Sequence, residues 1–266
     1  MRLTKHHGLG NDFLVLLDLD GTHAVSPVQA AALCDRHTGI GADGLLHATA
    51  GTSGADITME LFNADGSRAE MSGNGVRCLA QAVFQAGLAE PPVLHVVTDA
   101  GPRTVRVVGP AGGAAQRMSV EMGQAKVVGA EPGWAVGEVL RASRVDVGNP
   151  HVVLQWSGDA LPGTDELVAI GERIDRATPG GANVEVILPG SSSGGLDMVV
   201  YERGVGPTQA CGTGACAVVA AAHEWGLCGT TATVRMPGGP VAITLGDPVL
   251  LTGDVTSVAT IDTPWP

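Results

Sequence analysis

Aromatic side chains are scarce in this chain: three Phe, four Trp and one Tyr among 266 residues. A core must then be built from Val, Leu, Ile and Ala, and a hydrophobic content of 44% is enough for a sizeable one. Basic side chains are scarce too. Fifteen Lys and Arg against 27 Asp and Glu leave a formal net charge of -12. A general nucleic-acid binder neutralises phosphates with basic patches, so no nucleic-acid partner is expected. The charge favours solubility and selects no reaction. No run of about 18 or more apolar residues is present, so no membrane helix is expected. The start, Met1-Arg-Leu-Thr-Lys-His-His7, lacks the apolar stretch of a secretory signal, which leaves the cytoplasm as the expected location. Five cysteines, at 34, 78, 211, 216 and 228, are odd in number and irregular in spacing. They form no disulfide framework, and without a CxxC pair they suggest no metal site. In a reducing compartment each is either packing or a reactive thiol. Packing is the reading for Cys34, Cys78 and Cys228.

The chain is duplicated. Phe62-Asn-Ala-Asp-Gly-Ser-Arg-Ala-Glu-Met-Ser-Gly-Asn-Gly-Val-Arg-Cys78 is echoed by Tyr201-Glu-Arg-Gly-Val-Gly-Pro-Thr-Gln-Ala-Cys-Gly-Thr-Gly-Ala-Cys216. Superposing Ser72 on Cys211 pairs Gly73 with Gly212 and Gly75 with Gly214. Each segment leads into a helix pattern of small residues. One such loop per half suggests a site built between two similar domains. Strands and helices alternate along each half. Strands are expected at 13–17, 56–62, 93–97, 103–108, 118–121, 144–147, 151–156, 184–187, 197–201, 231–236, 241–245 and 249–255. Helices are expected at 27–34, 75–87 and 214–225, the first opened by Ser26 and Pro27. The fold class is α+β: two pseudo-symmetric domains, each a mostly antiparallel sheet wrapped around a central helix. The Gly-, Ala- and Pro-rich loop 109–115 marks the boundary. The domains are then 1–115 and 116–254, with a last strand at 255–266 that can return to the first.

The second loop carries chemistry. Cys211 stands just before a helix, followed by Gly212-Thr-Gly214, whose glycines let a ligand approach the backbone. The first N–H groups of that helix lack internal partners and carry the positive end of its dipole. A carboxylate suits that place. The same field is expected to lower the pKa of the Cys211 thiol. Glu202 and Arg203 precede the loop, an acid and a base able to hold an ammonium and a carboxylate; in isolation they read as an exposed ion pair of little consequence. Four asparagines, Asn11, Asn63, Asn149 and Asn183, stand beside Gly or Pro. Each alone is an ordinary turn residue. Together they suit a zwitterion, because an amide both donates and accepts.

Six motifs in order, His7-Gly-Leu-Gly-Asn-Asp-Phe13, Cys34-Asp-Arg-His-Thr-Gly-Ile-Gly-Ala-Asp-Gly44, Phe62-Asn-Ala-Asp-Gly-Ser67, Gly148-Asn-Pro-His151, Glu202-Arg-Gly204 and Ala210-Cys-Gly-Thr-Gly-Ala215, closely resemble the diaminopimelate epimerases. The resemblance spans nearly the whole chain. It implies two pseudo-symmetric domains with substrate in the cleft between them. It implies cofactor-free interconversion of LL- and meso-diaminopimelate, for lysine and peptidoglycan synthesis, by two opposed cysteines that exchange the Cα proton. Carried over by position, Cys211 is one of the pair. Asn11, Asn63, Asn149, Asn183, Glu202 and Arg203 would hold the substrate. The backbone amides of Gly73, Asn74, Gly212 and Thr213 would bind its reacting carboxylate, and His151 with Glu202 would tune the thiols. No cofactor is expected: a Schiff base would need Lys5 or Lys126, the only lysines. The partner is the small-molecule substrate. A homodimer is compatible with the sequence, which by itself sets no oligomeric state.

The chain departs from the family at Ser72, where the second cysteine belongs. A hydroxyl is a far weaker acid than a thiol, hence a poor base near neutral pH and a donor that leaves a high-energy alkoxide. Cys78 cannot replace it: six residues into a helix it lies about 9 Å along the axis and points elsewhere. Three readings stay open. Ser72 is a replacement that traps an inactive state; or serine, with or without a water, serves as the second relay; or the scaffold performs one-base isomerisation or dehydration, or only binds an amino acid. A smaller departure is Gly44, where some members carry a substrate-contacting Gln.

Overall fold

The computed structural model describes residues 1–109, 113–190 and 194–264. The chain forms two compact units, Met1–Glu121 with the chain from Thr252 onward, and Met122–Leu251. Unit 1 contains β1 (Arg2–Gly8), β2 (Asn11–Leu17), α1 (Pro27–Cys34), β3 (Gly44–Ala50), β4 (Ile57–Asn63), β5 (Arg68–Ala69), α2 (Gly73–Gln85), β6 (Val93–Thr98), β7 (Gly101–Val107) and β8 (Ala115–Glu121). Unit 2 contains β9 (Lys126–Ala130), β10 (Val139–Asp146), β11 (Pro150–Trp156), α3 (Thr164–Ala177), β12 (Asn183–Pro189), β13 (Gly195–Glu202), β14 (Gly206–Thr208), α4 (Gly212–Glu224), β15 (Thr231–Met236) and β16 (Gly239–Thr244). The last strand, β17 (Leu250–Asp262), returns to unit 1 and pairs antiparallel with β1. The expected α+β class holds, with a mostly antiparallel sheet and a central helix in each unit.

The two units repeat one wiring. In unit 1, β1 pairs antiparallel with β2, β2 runs parallel to β3, β3 is antiparallel to β4, and β4 is parallel to β6. In unit 2 the same relations join β10, β11, β12, β13 and β15. Phe13 lies opposite Gly44 as His151 lies opposite Asn183. Edge strand β9 covers β10 as β17 covers β1, so unit 1 borrows from the far end of the chain what unit 2 carries at its own start.

The central helices are buried nearly all round, as a helix inside a curled sheet must be. In α4 this is achieved with Ala and Val from Ala215 to Ala222. In α2 a polar stripe of Asn74, Arg77 and Gln81 is buried, and each of the three side chains is hydrogen-bonded. Asn74 Nδ2 donates to Asn11 Oδ1 (3.2 Å), Arg77 Nη2 to Asn74 Oδ1 (2.8 Å) and Gln81 Nε2 to the Ala114 carbonyl (2.9 Å).

Three features depart from the sequence reading. Helix α3 was not expected. Its composition is polar and Gly171 interrupts it, but a Cβ at 171 would sit 2.2 Å from the Tyr201 ring, so the glycine is what lets the helix pack on β13. Strand β8 pairs with β7 and stays in unit 1, so residues 116–121 belong there rather than to the second half. Of the loop 109–115, residues 110–112 lie outside the described residues. Strands β1, β3, β5, β9 and β14 also went unassigned. Among the described residues no helix is long and apolar enough to cross a membrane.

Asp18, at the end of β2, organises one side of unit 1. Its carboxylate accepts the backbone N–H groups of Thr22 and His23 (2.9 Å each) and meets His47 Nε2 at 3.1 Å. Burial opposes ionisation, but the bonds from His23, His47 and Thr22 outweigh it and hold the carboxyl well below the usual range. A depressed folded pKa means the stabilisation is present above the unfolded value and fades as pH falls toward the folded one. Asp18→Asn is therefore expected to cost about 3 kcal/mol near pH 7 by urea unfolding, and less at pH 3.

Candidate active site

Ser72 and Cys211 occupy the same structural position. Ser72 is the N-cap of α2, in extended backbone (φ -136°, ψ 124°), and its Oγ accepts the Gly75 N–H at 3.0 Å. Cys211 is the N-cap of α4 (φ -125°, ψ 113°), and its Sγ accepts the Gly214 N–H at 3.4 Å. In both helices the cap takes the amide of the third residue. The amides of the first two, Gly73 and Asn74 or Gly212 and Thr213, have no acceptor within their own helix. Each N-terminus thus pairs a proton-bearing side chain with two donors aimed the same way, an arrangement suited to a carboxylate beside a reacting Cα–H.

Around Ser72, hydrocarbon and a buried guanidinium lie against the helix turn, and a network of amides and acid–base pairs lies beyond them. Leu46 Cδ2 would lie 3.3 Å from a Cβ on Gly75, so Leu46 floors the first turn of α2. Arg77 is fully buried, and its Nη1 donates to the Gly73 carbonyl at 3.0 Å. Asn74 bonds Asn11, whose Nδ2 donates to Asp43 Oδ2 at 2.9 Å. Arg36 and Lys5 hold the neighbouring Asp12, whose pKa falls to about 2 because their bonds outweigh its burial. Asn63, exposed at the end of β4, donates to Ser67 Oγ at 2.9 Å. Gly44 is required by its surroundings: a Cβ there would sit 2.6 Å from the Phe62 carbonyl oxygen and 3.2 Å from the Phe13 ring.

Around Cys211 the side chains are ionisable. Glu185 takes the place of Leu46: its Oε1 would lie 2.6 Å from a Cβ on Gly214. His151 takes the place of Phe13, one strand over, and its Nδ1 is 2.7 Å from Glu185 Oε1. The His151 Nε2 meets Asn149 Oδ1 at 2.9 Å. Glu202 stands at the end of β13 and accepts the Thr208 hydroxyl. Asn183 Oδ1 accepts the Arg203 backbone N–H at 3.0 Å, and the exposed Arg203 side chain donates to the Gly180 carbonyl at 2.7 Å. The structure thus brings Asn149, His151 and Glu185 into one chain, and Asn183 and Arg203 into another. It joins Asn11 to Asn74, while the Asn63 amide donates to Ser67 within its own turn.

The expected lowering of the Cys211 pKa is overturned. Burial pushes the thiol well up, the Glu202 and Glu185 charges push it further, and the bonds from Thr213 and the Gly214 N–H recover only part. The helix end was legible in the sequence; the two carboxylates beside it were not. Burial likewise pushes Cys34 and Cys78 up to about 12 and raises Cys228, as expected of packing thiols. Glu185 itself went unread. Its one signal was an acid inside the apolar strand Val184-Glu-Val-Ile187.

The profile described as diaminopimelate epimerase matches residues 3–128 and 143–258. The chain belongs to the diaminopimelate epimerase family. It is 41% identical to the diaminopimelate epimerase of Mycolicibacterium vanbaalenii, over 93% of this chain and 91% of that one. Identity to the Mycolicibacterium smegmatis enzyme of the same name is 42%, over 92% and 90%. In fold it is similar to a probable proline racemase from Agrobacterium radiobacter, at a TM-score of 0.74 and 16% identity, covering 100% of this chain and 93% of that one. Among the described residues no group of three or more His, Cys, Asp or Glu is placed to hold a metal ion.

The repeat of the site allows a differential test. Alanine at helix position three gains propensity over glycine. At Gly75 the nearest atoms to a new Cβ are Ser72 Cβ and Leu46 Cδ2, at 3.1 and 3.3 Å, whereas at Gly214 the pinned Glu185 Oε1 is at 2.6 Å. Gly75→Ala is expected to leave the unfolding midpoint nearly unchanged. Gly214→Ala is expected to destabilise by about 1–3 kcal/mol, read in the same urea series.

Proposed function

We propose that this chain interconverts LL- and meso-diaminopimelate by cofactor-free proton exchange at Cα. Family membership supports the substrate. The carrying observation for the mechanism is the choice of caps. Serine is among the preferred N-cap residues and cysteine is not; α2 uses serine and α4 does not. A sulfur bond of 3.4 Å is a weak cap, so stability does not account for Cys211.

In this reading the Cys211 thiolate takes the Cα proton on one face. The charge that develops on the substrate carboxylate is met by the amides of Gly212 and Thr213, and by those of Gly73 and Asn74, donors already fixed before reaction. Ser72 Oγ–H delivers a proton to the other face, the alkoxide left behind takes a proton from water, and the hydroxide so formed takes the proton from Cys211, which restores the thiolate. Asn11, Asn63, Asn149, Asn183, Glu202 and Arg203 orient the substrate, and His151 and Glu202 adjust the thiol. Arg77 adds a buried positive charge at the end of α2 that lacks a thiol. The one-base and binding-only readings are less favoured, since the family relatives are epimerases by name.

The test is proton NMR of LL-diaminopimelate with the protein in D2O. Loss of the Cα–H signal and appearance of meso product are expected. Ser72→Cys is expected to raise kcat by about 100-fold or more, the usual worth of a well-matched acid or base. Absence of exchange in both proteins would sink the epimerase reading. Exchange without meso product would leave one-base chemistry. Cys211→Ser is expected to abolish turnover while raising stability by about 0.5–1 kcal/mol, because it installs the better cap; calorimetry on the same samples checks that half.

A further inference from the structure

Beneath the first turn of α4 lies a buried acid–base pair that has no counterpart in unit 1. Glu185 and His151 side chains have no solvent exposure and meet at 2.7 Å. Equivalent positions in unit 1 hold Leu46 and Phe13, which need no partner. An ionisable pair is costly to bury, and the same wiring is filled by hydrocarbon in the other half of the chain. Packing alone therefore gives no reason for Glu185.

The hydrogen bonds fix where its protons lie. With Asn149 presenting Oδ1 to His151 Nε2, that nitrogen donates. One further proton then sits between Nδ1 and Glu185 Oε1, as an ion pair or as two neutral groups. Glu185 Oε2 is buried and has no hydrogen-bond partner among the described residues. It is the one place in the pair where another proton can be held. The carboxylate is also aimed at the thiol's own helix turn. A Cβ on Gly214 would lie 2.6 Å from Glu185 Oε1 and 3.2 Å from Cys211 Cβ. Glu185 Oε1 and Cys211 Cβ are thus within about 6 Å of each other, and the Glu185 charge acts on the thiol.

We infer that Glu185 is a positioning residue of the Cys211 site: held by His151 against Gly214, it couples the protonation of the buried His151–Glu185 pair to that of the thiol. A carboxylate there disfavours the thiolate; a proton on the pair favours it. The Glu202 carboxylate, from the end of β13, acts on Cys211 in the same sense. Other charged groups on strands packed against α4 are partly or fully exposed: Lys126 on β9, Arg141, Arg144 and Asp146 on β10, and Arg235 on β15. Arg141 bonds the Trp225 carbonyl at the far end of the helix, Arg144 meets Glu131, and Arg235 meets Asp197. The catalytic meaning of this device rests on the epimerase reading; the device itself is measurable without substrate.

The experiment is the rate of Cys211 alkylation by iodoacetamide against pH, followed by peptide mass spectrometry, in the native chain, Glu185→Gln and Glu202→Gln. In the native chain the midpoint is expected to lie to the alkaline side of an ordinary thiol, because burial and the two carboxylates disfavour the thiolate. Glu185→Gln keeps the shape and one hydrogen bond but cannot carry the charge or the extra proton. Its midpoint is expected about one unit lower, with alkylation about tenfold faster at pH 8. A Glu185→Gln profile that overlays the native one overturns the inference, and so does a change in rate without a change in midpoint. Should Glu185→Gln fail to fold, imidazole NMR of the native protein decides. A hydrogen-bonded His151 ring proton that survives to alkaline pH supports the shared proton, and a ring that titrates as a free imidazole overturns it. Turnover of diaminopimelate with no alkylation shift removes this inference alone. An alkylation shift in a protein that turns over no diaminopimelate, even as Ser72→Cys, removes the epimerase reading and leaves a tuned thiol.

Discussion

Two buried helices that begin in the interior of their units face one shared constraint: the leading N–H groups of each need partners, and burial makes an orphan costly. One donor is met by the cap, through Gly75 in α2 and Gly214 in α4. The two before it are left for something outside the helix. Much else in each unit follows from presenting those donors. The glycines at 75 and 214 give room for the floor residue, Leu46 or Glu185. The parallel strand pair below each helix places Phe13 and Gly44, or His151 and Asn183, side by side at the same level. A site for an anion is thus a consequence of how a helix is closed, before any particular substrate is considered.

Duplication supplies a control within one molecule. Where two copies of a wiring are filled differently, the difference reports on function more than on folding. Unit 1 fills its floor with hydrocarbon and places a guanidinium behind the helix end. Unit 2 fills it with His151 and Glu185, adds Glu202, and caps with sulfur. The thiol belongs to the half that can adjust its proton affinity. The serine lies over Leu46, with the Arg77 guanidinium behind its helix turn. The ionisable side chains thus gather at the thiol's helix turn, while the serine's turn is floored by Leu46.

Much of this was legible in the sequence. The cap positions, both central helices and most of the strands follow from Gly-rich punctuation and apolar runs. The motif order carried the family. Helix α3 was not legible, because its internal Gly171 reads as a breaker until Tyr201 is seen against it. The break between units was misplaced because a Gly-rich loop looks like a linker, whereas β8 beyond it is still paired to β7. The direction of the Cys211 pKa was misjudged for a related reason. A helix end can be read from neighbours in the chain, but the carboxylates of Glu185 and Glu202 come from other strands.

That reversal bears on how a serine can stand in for a thiol. In the epimerase reading, a resting thiol whose ionisation is disfavoured is a proton donor in waiting. A base must then be made before any Cα proton can leave, and making it at Ser72 is the harder choice by the wide gap between hydroxyl and thiol acidity. The thiolate must form at Cys211. Whatever lowers the cost of that one deprotonation lowers the barrier to the whole cycle, and a neighbouring carboxylate that takes up a proton does so directly. With two thiols, either face could begin the exchange. With one, the epimerase reading rests on the ionisable floor of unit 2, so it predicts more from His151, Glu185 and Glu202 here than beside a second cysteine.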